Sequence, residues 1–345
     1  MHCTLLVPDL LWPRDTADDA VRGLSAPRLE TALARARMER HPALPVEAWL
    51  CQAFEVERQQ DWPVAPLTLA LDGGEPGDGY WLRADPVHLQ LQRERVALMG
   101  SHTLQVTRDE ASRIAAALNA QFAPDGLRFE APAPGRWYVR AARRPMLVTE
   151  TVSAAAGRNA RDVQPAGEDA PAWRHIANEI QMLLHALPLN DARAAAGLPA
   201  INSVWIWGGG VKTDVPGRVF TAVWSDDALA QALAVHADAH AAALPAGATA
   251  WLEQARPLRA MQHHLVVFGR CAEGAAYSDA AAWRDALGEL DRAWIAPLLA
   301  ALRKRVLKTL VIAAPCAAGS WRFELDARAL YKFWARPRPL SRYSA

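Results

Sequence analysis

Short runs of consecutive apolar residues alternate with amphipathic stretches along this chain. The apolar runs are too short for most helices and lack helical periodicity, so they favour strands that are covered on both faces. They comprise residues 3–7, 203–207, 264–269 and 308–313. The stretches between them repeat apolar residues every three or four positions, which predicts helices. Strands that alternate with helices are typical of an α/β fold with a mainly parallel sheet.

Two helix starts are marked by end signals. Pro27 follows Ser25 and Ala26, which places a proline in the first turn of a helix whose N-cap is Ser25 or Ala26. Thr107 and Glu110 have the spacing of a capping box, in which each side chain bonds the backbone of the other residue.

Three further elements are predicted from their patterns. Leucines occupy every second position of residues 67–71, which predicts a strand in which Thr68 is a packing residue. Residues 218–224 are strand-like, and the alanine-rich residues 226–243 predict a helix.

Composition limits the class of protein. The chain has 345 residues, 51% of them hydrophobic, and a formal net charge of +1. This length predicts two packed units at about 100–200 residues each. The balanced charge favours neither nucleic acid nor an anionic membrane as a partner. The fourteen tryptophans are expected to pack in the core, because their large rings contribute much buried area.

The location predicted from the sequence is the cytoplasm. Four well-separated cysteines form no Cys-x-x-Cys motif, which favours a reducing compartment over a disulfide framework. No apolar run approaches the roughly 20 residues of a membrane span. The first residues have neither a basic stretch nor a small-residue cleavage site, so we expect no signal peptide.

Residues 185–210, HALPLNDARAAAGLPAINSVWIWGGG, carry the most specific pattern. They predict the end of a helix, a polar loop, a strand at 203–207 and a glycine loop at its carboxyl end. In an open α/β sheet that edge binds ligands, because loops there leave backbone N–H groups free to face an anion. The candidate anion pocket consists of Asn190, Arg193, Asn202, Gly208, Gly209 and Gly210. In the alternative interpretation this is a structural loop in which Asn190 and Arg193 cap neighbouring backbone.

This stretch resembles a segment of the archaeal-type cofactor-independent phosphoglycerate mutases of the alkaline phosphatase superfamily. The similarity continues in order through TLLVPDL, APRLETALARA and VAPLTL, and is greatest with the RpfE-type regulatory proteins, a bacterial side branch. The resemblance implies an alkaline phosphatase-like α/β core with a mainly parallel sheet and helices on both faces. The core is expected at 1–74 and 196–345, with a smaller α/β domain inserted at 75–195.

The same resemblance implies a Ser or Thr nucleophile and two metal ions, and most of these parts are missing. Asp9 falls on a metal-ligand aspartate of the family, whereas Trp62 or Pro63 stands where the nucleophile should be. After the strand at 264–269, only Glu273 could serve as a ligand. Ala313 to Cys316 replace the expected Asp-His pair, and no histidine follows His264. We therefore expect no cofactor, and Asp9 is at most a vestigial metal ligand.

The predicted function is that of a degenerate mutase-like protein with a regulatory or ligand-binding role. Its partner would be a small phosphorylated or carboxylated metabolite, or another protein. One alternative is an active mutase or phosphatase that holds Mn or Zn through relocated ligands. Its candidate ligands are His88, His102, His175, His236 and His240, of which the last two have zinc-ligand spacing on the predicted helix.

A second alternative is a purely structural interaction protein that uses exposed tryptophans. His263 and His264 are adjacent on a predicted strand, which suits one exposed and one buried ring because successive side chains point to opposite faces.

Overall fold

The computed structural model describes residues 1–12, 23–92, 95–156, 158–258 and 262–343. The chain divides into two compact units, one of Met1–Glu55 with Val215–Ala345 and one of Val56–Asp214. None of the helices in the described ranges is long and apolar enough to cross a lipid bilayer.

The elements are numbered in chain order. The described strands are β1 (His2–Leu6), β2 (Arg37–His41), β3 (Tyr80–Gln92), β4 (Arg95–Met99), β5 (Leu127–Ala133), β6 (Arg136–Ala141), β7 (Ser203–Gly210), β8 (Ala222–Trp224), β9 (His240–Ala242), β10 (His263–Val267), β11 (Thr309–Cys316) and β12 (Gly319–Asp326). The described α-helices are α1 (Pro27–Arg35), α2 (Val46–Ala53), α3 (Val64–Leu71), α4 (Ser101–Leu104), α5 (Arg108–Phe122), α6 (Val152–Ala155), α7 (Ala170–His185), α8 (Pro188–Ala195), α9 (Ala228–His236), α10 (Ala248–Ala255), α11 (Arg270–Ala276), α12 (Ala280–Glu289) and α13 (Ala296–Arg303).

The first unit is built on a seven-stranded sheet in the order β2-β12-β11-β1-β10-β8-β9. Strand β1 pairs in parallel with β10 and β11, and β8 pairs in parallel with β10 and β9. The two pairings at one edge, of β11 with β12 and of β12 with β2, are antiparallel. The prediction of a mainly parallel sheet is therefore confirmed.

Helices cover both faces of this sheet. On one face α1, α10, α12 and α13 bury a large apolar cluster against alternate residues of β1, β11 and β12. The fully buried rings of Trp251, Trp283 and Trp294 belong to that cluster, as expected for core tryptophans. Helices α2 and α9 pack against each other outside the cluster. His263 is exposed and His264 is buried, as the strand alternation predicts.

The second unit contains an antiparallel sheet in the order β4-β3-β6-β5, with β7 paired to β3. Helices α5 and α7 bury their apolar sides on it. Helix α5 begins at the predicted capping box, in which Thr107 and Glu110 bond each other's backbone.

Three predicted elements differ from the structure. Residues 64–71 form helix α3 rather than a strand; residues 64–69 are all buried, so the alternating leucines do not mark one buried face. Helix α9 ends at His236, and Asp238 adopts a left-handed conformation before β9 begins at His240. Only residues 222–224 of the predicted strand at 218–224 are extended.

The boundaries of the two units differ from those predicted from the sequence. Residues 56–74 and 196–214 group with the inserted unit, because α3 packs on β3 and β7 and because β7 pairs with β3 from Val87 to Trp81. The glycine run is consequently part of an antiparallel strand, not a loop at the carboxyl edge of the parallel sheet.

The N-terminus of α1 depends on a distant side chain. Its N-cap residue Ala26 has no side chain that can bond the helix. The buried carboxylate of Asp291 instead accepts the backbone N–H groups of Arg28 at 2.9 Å and Leu29 at 2.7 Å. It also pairs with the Arg28 guanidinium at 3.1 Å.

We predict that Asp291→Ala lowers the free energy of unfolding by about 3 kcal/mol, since two backbone donors lose a charged acceptor. Asp291→Asn keeps an oxygen acceptor and should cost less. Urea unfolding of both variants checks this. Equal losses in the two variants would show that the capping hydrogen bonds are unimportant.

Candidate functional site

Asp9 lies just beyond β1, at the carboxyl end of the central parallel strand. Its N–H donates to the Pro315 carbonyl at 2.9 Å, and its own carbonyl accepts the Trp283 Nε1–H at 2.9 Å. Its backbone is left-handed, with φ of 52°. Burial, and secondly the nearby Glu47, raise the pKa of its carboxyl to about 6. The aspartate that the resemblance assigns to a metal is thus at a strand tip, in surroundings that disfavour its charge.

The two nearest sulfur groups cannot replace the missing ligands. Cys271 of α11 and Cys316 at the end of β11 are buried free thiols. Burial, and then Asp9, raise the pKa of both, that of Cys316 to about 12. A thiol must ionise to attack phosphorus or to bind a metal, so the raised pKa values disfavour both roles.

The groups at this edge do not fit a two-metal centre. Such a centre clamps phosphoryl oxygens between two ions held by several carboxylates and imidazoles. Among the described residues, no three His, Cys, Asp or Glu side chains are grouped so that they could hold even one ion. Glu273, the other ligand that the sequence offered, is exposed on α11.

In the second unit, Asn190 and Asn202 bind backbone rather than facing a pocket. Asn190 donates to the carbonyls of Leu184 and Ile201 at 2.8 and 3.0 Å and accepts the Ile201 N–H at 2.9 Å. Asn202 accepts the Leu89 N–H at 2.8 Å and donates to the Leu89 carbonyl at 3.0 Å. Both amides therefore link chain segments through hydrogen bonds to the backbone.

Arg193 is also enclosed by protein groups. Its side chain is 2% exposed. Nε donates to the Pro199 carbonyl at 2.8 Å, Nη1 donates to Glu110 at 2.8 Å, and Nη2 donates to the Leu104 carbonyl. These contacts match the alternative interpretation of a structural loop, and they do not fit the anion pocket predicted from the sequence.

The glycines of β7 allow close packing. Gly208 has a left-handed φ of 65°, and a Cβ there would lie 3.1 Å from the Cβ of Val64. A Cβ on Gly209 would lie 2.6 Å from the Tyr80 hydroxyl. The run Gly208–Gly210 therefore allows the close approach of β7 to its neighbours and lies buried.

The histidines of the alternative metal site do not assemble. His236 and His240 lie on different elements, so their spacing is not that of one helix. His175 contacts Glu179 of its own helix at 3.1 Å. His88 bonds the Ala200 carbonyl through Nδ1 at 2.8 Å. The side chain of His102 lies outside the described parts.

Sequence reasoning missed a buried ionic network in the second unit. Arg83 and Asp85 are paired at 2.7 Å with both side chains about 7% exposed. The guanidinium stacks near the rings of Tyr138 and Trp207, and the Trp207 Nε1–H donates to Asp85 at 2.8 Å. Arg83 and Asp85 both lie on β3, whereas the rings come from β6 and β7, so no local motif predicts the network. Their polar groups bond one another, which identifies a structural network.

A cleft of about 730 Å³ opens on the sheet face of the first unit that carries α2, a size typical of small-molecule sites. Thr4, Val311 and Ala313 contribute to its lining, together with Trp49 of α2. Ser320, which is 6% exposed, also lines the cleft.

The rim of this cleft mixes imidazole and ionic groups. The rings of His2 and His263 stack at 4.8 Å, and His2 Nδ1 bonds the Thr309 hydroxyl at 2.6 Å. Burial, and then His263, lower the pKa of His2. Arg322, which also lines the cleft, pairs with Glu324 at 2.6 Å. The cleft therefore offers imidazole rings, hydroxyls and a partly compensated cation.

No protein-family model matches the chain, and no curated protein does so either. Solved structures do match. The PH0037 protein from Pyrococcus horikoshii is 12% identical, with a TM-score of 0.56 over 94% of this chain and 87% of that one. A cofactor-independent phosphoglycerate mutase from Thermoplasma acidophilum DSM 1728 is 13% identical, with a TM-score of 0.46 over 94% of this chain and 90% of that one. The first likeness shows a shared fold alone, and the second is too weak to carry an argument.

The raised pKa of Asp9 predicts a pH-dependent stability. A carboxyl whose pKa is higher in the folded state destabilises the fold as the pH rises from about 4 to about 6. We predict that Asp9→Asn, which also suits a left-handed backbone, removes this decline. It should raise the free energy of unfolding at pH 7 by up to about 3 kcal/mol.

Asp238→Asn is the matched control, because Asp238 is also left-handed but exposed. In urea unfolding from pH 4 to pH 7, the free energy of unfolding of this control should depend on pH as that of the unaltered chain does. A destabilised Asp9→Asn variant at pH 7 would mean that the Asp9 carboxylate has a favourable partner.

Proposed function

We propose that this protein is a catalytically degenerate relative of the cofactor-independent phosphoglycerate mutases, of the RpfE regulatory type, and that it acts in the cytoplasm by binding. Support comes from the resemblance carried by residues 185–210 and by the segment around Asp9, together with the α/β core. The four free, buried cysteines agree with a reducing compartment.

One observation carries the proposal. At the carboxyl edge of the parallel sheet, Asp9 has two protonated thiols and Glu47 near it where the related enzymes place metal ligands. Phosphoryl transfer depends chiefly on positioned charges that stabilise the transferring group. A site that contains only these groups lacks the positioned charges that would stabilise the transferring phosphoryl group.

We place the ligand in the cleft of the first unit, not at Asn190–Gly210. The buried Ser320 hydroxyl and the Arg322 guanidinium, both in the cleft lining, would hold the phosphate or carboxylate of a small metabolite. A ligand that binds only the folded state stabilises it by mass action. The stability of the protein would therefore follow the concentration of the metabolite.

Two titrations of the purified chain test the proposal. Calorimetry with Mn²⁺ and Zn²⁺ should show no stoichiometric site, and 3-phosphoglycerate should not turn over in the presence of either ion. Calorimetry with 3-phosphoglycerate should show one site per chain. Two tight metal sites together with turnover would contradict the degenerate assignment and favour the enzyme with relocated ligands.

Paired variants test the location of the ligand. Val311→Phe narrows the cleft and should weaken 3-phosphoglycerate binding about tenfold or more, the effect of about 1.4 kcal/mol. Val235→Phe, on the exposed side of α9, should leave it unchanged. Equal affinities of the two variants would exclude the cleft, and absence of binding to the unaltered chain would contradict the ligand class.

A further inference from the structure

Three large aromatic side chains stand exposed within four consecutive positions. Tyr331, Phe333 and Trp334 are 77%, 83% and 68% exposed. They belong to residues 327–343, which we call the aromatic–basic segment. Single exposed apolar residues are ordinary on protein surfaces, but a contiguous group of this kind marks an interaction site.

Ordered contacts hold the aromatic–basic segment in place. Leu330 and Leu340 are buried in the apolar cluster of the first unit. The Arg35 guanidinium donates to the Leu330 carbonyl at 2.7 Å, and the Lys332 ammonium donates to the Arg35 carbonyl at 3.1 Å. The three rings are therefore displayed by a packed piece of structure.

The charge of the aromatic–basic segment is concentrated and uncompensated. The segment has five basic residues and no acidic ones, whereas the whole chain has a net charge of +1. None of the five forms an ion pair with any residue in the described ranges. They are Arg328, Lys332, Arg336, Arg338 and Arg342.

We propose that the aromatic–basic segment docks on an anionic lipid surface. Tyrosine and tryptophan rings favour the headgroup level of a bilayer, a phenylalanine ring reaches the acyl boundary, and flanking cations meet lipid phosphates. The segment supplies all three kinds of group within seventeen positions of sequence. This inference does not rest on the proposed function.

Other occupants fit the segment less well. A second copy of the chain would bring five positive charges against five positive charges. Single-stranded nucleic acid stacks its bases on successive ring faces, but Phe333 and Trp334 meet edge to face at 82° and offer no continuous stack. No membrane partner was predicted from the sequence, because the net charge of the whole chain adds the positive charge of this segment to the negative charge of the remaining residues.

The test is co-sedimentation of the full chain with vesicles. The protein should sediment with vesicles of equal parts phosphatidylcholine and phosphatidylglycerol. It should not sediment with pure phosphatidylcholine vesicles. Added salt should release it. Arg336→Ala with Arg338→Ala should weaken binding about fivefold for each arginine removed, and Phe333→Ser with Trp334→Ser should abolish it.

The matched control is Arg303→Ala with Lys304→Ala, which removes two exposed cations far along the chain from the segment and should leave binding unchanged. Circular dichroism and thermal unfolding should show every variant folded, because each altered side chain is exposed. Three results would overturn the proposal: no sedimentation with the mixed vesicles, equal sedimentation with both kinds, or undiminished binding by the Phe333/Trp334 variant. Binding to a single-stranded oligonucleotide without vesicle binding would also overturn it.

Discussion

Strand β1 is hydrogen-bonded on both sides, to β10 and to β11, and the candidate site depends on this pairing. Leu5 lies opposite Val266 and Ile312 in the parallel registers. The ladder continues past the strand end, where the Val7 N–H bonds the Ala313 carbonyl and the Asp9 N–H bonds the Pro315 carbonyl. Backbone hydrogen bonding therefore fixes Asp9 at the carboxyl edge, whatever its side chain does.

The same pairing explains why the edge is unsuited to charge. A central strand is covered on both faces, so a side chain at its tip loses much of its contact with water. A bound metal ion would offset that cost, because its charge lowers the pKa of the surrounding groups. Here burial, and then repulsion from Glu47, raise the pKa of Asp9.

The sequence predicted elements whose signals are local. Buried strands such as β10 and β11, the proline-started helix α1 and the capping box at Thr107 all depend on residues within one turn or one strand. The strand predicted for residues 67–71 was wrong because a helix that is buried all round has no polar face, so its leucines can alternate as in a strand. The prediction was also wrong for His236 and His240, because the left-handed Asp238 ends the helix between them.

Features that depend on tertiary contacts escaped prediction. Asn190 and Asn202 bond backbone groups. Arg193 bonds two backbone carbonyls and the Glu110 carboxylate. These side chains resemble anion ligands in sequence yet bond protein in the fold. The pair of Arg83 and Asp85 is buried by rings from two other strands, and Asp291 caps a helix more than two hundred residues away. The cleft combines strand faces, a helix and loops, and no single motif encodes it.

We propose that the Asp9 edge holds no metal ion, and the ionisation of Asp9 itself provides the sharpest test. With carbon-13 in the aspartate carboxyls, NMR would follow Asp9 through a pH titration, assigned by the signal that Asp9→Asn removes. The account predicts a midpoint near pH 6 that Zn²⁺ does not shift. A midpoint at or below the usual value of about 4, or one that Zn²⁺ displaces to lower pH, would contradict it.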